Sequence, residues 1–254
     1  MANFVVTITG ADDEINPADL VSLSKLYPFV EWGILFSKST SYGTKRYPTR
    51  NWRSALYAEA MGGETMPNLS AHLCGEFAED RLKYFEHVST EVETFYRRIQ
   101  FNRFNKDNRS AVEDYAAHCG AQVIIPINKK TSSVVDTIGV IVKPFISVLF
   151  DTSGGRGVDD GILPEDLPEF NMCGFAGGIT EENIEDKLKQ LSLRYGEAPF
   201  WIDLETGARD LENNFSLSQV ERILRKASPF HSAMNNEILL APKKEESRII
   251  LLNP

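Results

Sequence analysis

The chain is poor in the residues that usually announce a chemistry. Cysteine occurs three times in 254 residues, at Cys74, Cys119 and Cys173. The count is odd and no two are close, which argues against a disulfide framework and makes a reducing compartment the default. The four histidines, His72, His87, His118 and His231, are scattered. No Cys-x-x-Cys, His-Glu-x-x-His or EF-hand spacing occurs, so the sequence points to no metal and to no cofactor. Basic runs are no longer than pairs such as Arg97-Arg98 and Lys129-Lys130, and the net charge is −9. Such a chain cannot track a phosphate backbone, which sets aside nucleic acid and anionic membrane surfaces as partners. The longest apolar stretch, around Ile138 to Phe150, is broken by Lys143 and Pro144 and is too short to span a bilayer. The opening MANFVVTITGADDEINP has no positive segment ahead of a long apolar one and reads as strand, not as a signal peptide. These absences lead to the expectation of a soluble, cytoplasmic protein.

What is present is alternation. Strand-like runs are predicted at 4–9, 29–36, 69–73, 98–101, 122–127, 146–150, 172–176 and 200–204. Helical patterns fall between most of them, at 17–26, 51–60, 76–85, 110–117, 131–140 and from Thr180 through Leu191. Asn16 caps the first helix and Pro17 takes its first position, where a missing N–H does no harm. Ser216 and Gln219 form a capping-box pattern before a last amphipathic helix ending near Lys226. Eight strands alternating with helices match one closed parallel barrel, so the expected fold is a single-domain α/β (β/α)8 TIM barrel. A doubly wound open sheet is the alternative. No linker rich in Pro, Gly or Ser divides the chain. The barrel is placed at 1–230 and a C-terminal extension at 231–254, packed on the barrel or contacting a partner. A homodimer is compatible with the sequence.

The most informative segments lie in the last third. FISVLFDTSGGRG, CGFAGGITEEN and PFWIDLETG are each an apolar run ending in Asp or Gly-rich sequence. Glycines at the C-terminal ends of barrel strands present backbone N–H groups to an anionic ligand. Asp151 at the end of the first run is well placed to move a proton on a bound sugar; capping its own loop is the alternative role. Gly154 and Gly155 permit a tight turn with close ligand approach. Gly177 and Gly178 precede a predicted helix and can hold a phosphate, or can serve only the turn. Gly207, with the Thr206 hydroxyl, takes the matching part after strand eight. Asp203 alternates onto the same side as Trp201, where it either orients ligand or satisfies a buried network. His72 shares a side with Cys74 and is either a base or a packed structural residue. Lys45 and Arg46, in the loop after strand two, can close over an anion or lie on the surface. Asp12, Asp13 and Glu14 read as a solvated loop, with a divalent ion as the minor alternative.

The order of these motifs resembles the phosphoribosylanthranilate isomerase family of barrels. FDTSGGRG is similar to its aspartate-plus-glycine signature after strand six, AGGITEENI to its strand-seven signature, and WIDLETGAR to its strand-eight signature. TITGADD is similar in position to the family's opening, and the resemblance spans most of the first 226 residues in order. It implies an Amadori rearrangement of a phosphoribosylated amine, with a cysteine as base and an aspartate as acid. Asp151 matches the aspartate. The cysteine position falls on Thr9, and the position of a substrate-binding histidine falls on Asn102. The expected function is an isomerase-like or lyase-like barrel that binds a small phosphorylated sugar compound. Binding or sequestration of such a molecule without turnover, and a structural or interaction scaffold, are the alternatives.

Overall fold

The computed structural model describes residues 4–63, 66–84, 91–128, 131–151, 163–196 and 198–240, with side chains to 232. The strands are β1 (Phe4–Thr9), β2 (Val30–Phe36), β3 (Asn68–Leu73), β4 (Arg98–Phe101), β5 (Gln122–Ile127), β6 (Ile146–Asp151), β7 (Cys173–Ala176) and β8 (Phe200–Leu204). Each pairs in parallel with the next, and β8 pairs with β1, closing the barrel. The helices are α1 (Pro17–Leu26), α2 (Arg50–Gly62), α3 (Gly75–Tyr84), α4 (Glu91–Phe95), α5 (Arg109–His118), α6 (Ser132–Val135), α7 (Ile184–Tyr195) and α8 (Leu217–Leu240). The chain is a single-domain (β/α)8 TIM barrel.

Period-two alternation divides the strand side chains into two sets. Phe4, Val6, Ile8, Trp32, Ile34, Ile99, Val123, Val148 and Ile202 face outward into the large core beneath the helices. The inward set is filled at its centre by a second, smaller cluster of Ile124, Leu149, Met172 and Trp201. Strand register stacks the inward residues in levels of four, drawn from alternate strands. One low level holds Glu31, Arg98, Ser147 and Trp201, and the next holds Thr7, Ser70, Ile124 and Gly174. Above them come Gly33, Gln100, Leu149 and Asp203, and then Thr9, His72, Pro126 and Ala176. The interior is therefore apolar on the β5–β7 side and polar on the β1–β4 side.

Gly174 makes two of the levels fit. A Cβ on Gly174 would stand 2.1 Å from Cε2 of Trp201, so the indole occupies the volume a side chain would take. Trp201 is fully buried, with the Arg98 guanidinium 4.1 Å from its ring centroid, and has little room to retreat. Gly174→Ala is expected to cost roughly 1–3 kcal/mol by overpacking. Urea unfolding measures this; an unchanged midpoint would show that the ring can move aside.

Three of the predicted helices differ from expectation, and α4 is a short helix that the sequence did not predict. The helix predicted over 131–140 is the single turn α6, consistent with its run of β-branched residues. α7 begins at Ile184, later than the predicted Thr180 cap, because Asn183 closes a turn first. Its side chain accepts from Thr180 N–H at 2.8 Å and donates to Gly178 C=O at 2.7 Å. α8 continues past Lys226 to Leu240 with Pro229 inside it. The lost bond at proline is offset by packing: Phe230 lies against the core, and the His231 ring sits 4.9 Å from that of Phe29. The extension expected at 231–254 thus starts inside a helix, and its residues 241–254 lie outside the described residues.

Candidate active site at the carboxyl ends of the strands

A cavity of about 460 Å³ opens at the C-terminal ends of the strands. Its lining includes Thr9, His72, Gln100, Asn102, Asp151, Gly177, Gly178, Asp203, Thr206 and Gly207. Most of the residues singled out in the sequence are thus brought together. Arg46 is not among the lining residues. Gly154 and Gly155 lie outside the described residues.

The floor is built around Gly33. A Cβ there would stand 2.2 Å from Thr9 Oγ1 and 3.0 Å from His72 Nε2, so its absence lets both side chains lean over β2. Thr9 Oγ1 donates to Asp203 Oδ1 at 3.0 Å. Burial pushes the Asp203 carboxyl up to about 7, against the lowering effect of the Thr9 hydrogen bond, with Glu205 and Glu31 raising it further and Arg98 opposing. Asp203 is therefore partly protonated at neutral pH, the condition in which a carboxyl can either give or take a proton. His72 moves the opposite way. Burial, aided by the Arg98 charge, lowers it to about 3, so its imidazole is neutral and weakly basic. Among the described residues its Nε2 is buried with no hydrogen-bond partner, as is Gln100 Oε1. The Cys74 thiol is raised, chiefly by burial, and accepts from Asn102 Nδ2 at 3.1 Å, so it is no ready thiolate.

Beneath the floor lies an ion pair. Arg98 Nη1 stands 2.9 Å from Glu31 Oε1, and Thr7 Oγ1 donates to the same oxygen at 2.8 Å. Above it, the rim is held by the loops after β1, β2 and β8. Arg209 donates to Gly10 C=O at 2.7 Å and to Asp12 Oδ2 at 3.2 Å, with both side chains of the pair buried. Arg46, at φ 78, pairs with Glu205, donates to Asn213 Oδ1 at 2.9 Å, and gives its N–H to Asp12 at 2.9 Å. Lys45 donates to Glu212 C=O. Asp12 is thus a buried anchor instead of a solvated loop residue. Among the described residues no group of His, Cys, Asp and Glu is arranged to hold a metal.

The loops after β7 and β8 meet closely. A Cβ on Gly207 would stand 2.1 Å from Ile179 C=O, so only glycine fits there. Gln219 Nε2 donates to Gly207 C=O at 2.8 Å and fastens the start of α8 to this turn. Gly177 and Gly178 have φ of 105 and 60, and among the described residues neither N–H donates to a protein acceptor. The described lining carries the carboxylates Asp151, Glu182, Asp203 and Glu205 and one guanidinium, Arg209, already committed to Asp12. Gly33, Gln100, Glu182, Glu205 and Arg209 are among the residues that the sequence left unremarked. Alternation gave a signal for Gln100, two residues before Asn102, but Gly33 stands out only once its neighbours are known.

No protein-family model matches the sequence, and no curated protein matches it either. Solved structures do match. TrpF from Jonesia denitrificans superposes with a TM-score of 0.58 at 14% identity, covering 89% of this chain and 98% of that one. The likeness is one of fold. Phosphoribosyl anthranilate isomerase from Thermus thermophilus gives 0.54 at 15% identity, over 89% and 98% of the two chains. The 3-hexulose-6-phosphate synthase from Salmonella typhimurium gives 0.52 at 9% identity, over 89% and 100%. No described helix is long and apolar enough to cross a membrane.

Proposed function

We propose that this barrel is an enzyme that moves a proton within a small phosphorylated sugar compound, as an isomerase or a related lyase. The observation that carries the reading is Asp203: a carboxyl on the cavity floor pushed up to about 7, beneath a second carboxyl, Asp151, at the end of β6. Two carboxyls in unlike environments supply an acid and a base to one ligand. Thr9 holds Asp203 in place, and Asn102 lies at the edge of the ligand. The phosphate rests on the N–H groups of Gly177 and Gly178 and beside Thr206 and Gly207. With carboxylates around it, phosphate binding depends on those backbone donors and weakens as Asp203 ionises. In this reading the chain is a divergent relative of phosphoribosylanthranilate isomerases, with Thr9 at the cysteine position, and it works in the cytoplasm.

One observation favours a second reading, binding without turnover: the Thr9 hydroxyl is donated to Asp203 and is not itself a base. Turnover separates the two. Native mass spectrometry against a pool of phosphorylated metabolites is expected to show one compound retained by the protein and lost in Gly178→Asp. Aspartate is among the side chains that tolerate a positive φ, so this variant should fold. Asp151→Asn should keep the retained compound but lose its conversion by about 10²-fold or more. Retention by folded Gly178→Asp would contradict the phosphate placement. An unchanged rate in Asp151→Asn would remove Asp151 from the chemistry.

A further inference from the structure

His72 and Gln100 are register partners on β3 and β4. Both face into the barrel, both line the cavity, and both are buried, at 2% and 6% exposure. Each ends in a polar atom without a hydrogen-bond partner among the described residues, His72 Nε2 and Gln100 Oε1. A buried polar group left unpaired is destabilising, and of the unpartnered buried side-chain atoms among the described residues these two are the ones that line the cavity. The orientation of the Gln100 amide is fixed by its own network. Nε2 donates to Asn102 Oδ1 at 2.7 Å, and Asn102 Nδ2 in turn donates to Cys74 Sγ. The free atom of Gln100 is therefore an acceptor.

We propose that His72 and Gln100 form a hydroxyl-recognition pair on the cavity floor, and that the ligand presents a carbon bearing free hydroxyls to it. This rests on the reading of the cavity as a sugar-phosphate site and states which end of the ligand points down. A hydroxyl both donates and accepts. It can give its proton to Gln100 Oε1 while accepting from, or a neighbouring hydroxyl donating to, the neutral imidazole. A carboxylate or a fully ionised phosphate monoester at this place only accepts, and it would face the Gln100 carbonyl oxygen with no bond to make. The pair thus rejects the anionic end, which is left to the turn at Gly177 and Gly178. Gly33 is part of the arrangement, since any side chain there would press on His72 Nε2. The substrate class that follows is a polyhydroxylated compound with its anionic group remote from the hydroxyls that are read, as opposed to a carboxylate bound on the floor.

The test uses the full chain, labelled with ¹⁵N, and three probes: D-ribose, ribose 5-phosphate and inorganic phosphate. The His72 ring signals are assigned by their loss in His72→Asn. They are expected to shift with ribose 5-phosphate, and with D-ribose at high concentration, but not with inorganic phosphate. Inorganic phosphate should shift only the Gly177 and Gly178 amides. Gln100→Leu should weaken ribose 5-phosphate by about tenfold or more while the glycine response to inorganic phosphate is retained, which also shows that the variant is folded. If neither sugar moves the His72 ring, or if Gln100→Leu binds ribose 5-phosphate as tightly as the unaltered protein, the pair is overturned. If the sugars move His72 but phosphate leaves the glycine amides unmoved, the pair stands and the phosphate placement falls.

Discussion

Asp203→Asn is expected to lower turnover by about 10²–10⁴-fold while the barrel stays folded. Asparagine keeps the shape and can still accept the Thr9 hydroxyl on its amide oxygen, so the geometry of the floor survives. What disappears is the proton that Asp203 exchanges near neutral pH. The same variant makes a stability prediction whose sign is fixed by the direction of the shift. The carboxyl is raised from its usual 3.8 to about 7 in the folded state, so the folded chain holds this proton more tightly than the unfolded one. The stabilising effect is complete below about pH 4 and is lost as pH rises through 7. His72 works in the other direction. Its folded value, lowered from 6.5 to about 3, gives stability that is present above 6.5 and lost as pH falls towards 3. In the unaltered protein the two contributions oppose each other between about pH 4 and 6.5. Removing Asp203 leaves the His72 contribution alone. The stability of Asp203→Asn relative to the unaltered protein should therefore rise from pH 4 to pH 7. Urea unfolding at a series of pH values measures this; a flat difference would show that Asp203 ionises normally, and a falling one that folding lowers it.

Arg98→Met should have the largest effect on stability, about 3–5 kcal/mol, because it leaves Glu31 as a buried charge without its cation. The arginine side chain is 12% exposed and that of Glu31 3%, so water cannot take its place. Thr7 would remain as a hydrogen-bond donor to the carboxylate, and one neutral donor does not replace a guanidinium. The Trp201 indole would also lose the charge stacked on its ring. The double variant Glu31→Gln, Arg98→Met should recover much of the loss, since breaking one side of a buried pair costs more than replacing both. Loss of Arg98 also reaches the site. Its charge lowers both His72 and Asp203, so both should titrate at higher pH in the variant. A midpoint of unfolding within error of the unaltered protein would mean that Glu31 finds other solvation in the barrel.

The barrel was legible because its signals are local. Alternation in FVVTIT and ISVLFD marks strands, and Asn16 and Pro17 mark a helix start, whatever the rest of the chain does. α6 was over-read because a window of apolar β-branched residues mimics helical spacing without helical propensity. α8 was under-read because Pro229 suggests a stop, while the contacts of Phe230 and His231 that sustain the helix are tertiary. The site was legible in part for the same reason. Asp151, Gly177 and Gly207 sit in strand-end patterns that sequence displays. Asp203 was visible as an inward carboxylate, but its bond to Thr9, 194 positions away in the chain, is a tertiary contact that no local pattern displays. The pairing of Arg46 with Glu205, across the rim, is likewise a contact between residues far apart in the chain. Gly33 carries no local mark in its apolar strand, and leaves the space over which both Thr9 and His72 lean.

The most direct measurement is a ¹³C NMR titration of the Asp203 side-chain carboxyl in the unaltered, ligand-free protein, assigned by comparison with Asp203→Asn. A midpoint near 7 is expected, with the signal still moving between pH 6 and 8. A midpoint near 4 would mean that the carboxyl is an ordinary ionised group at neutral pH, and proton exchange from the cavity floor would have to be abandoned.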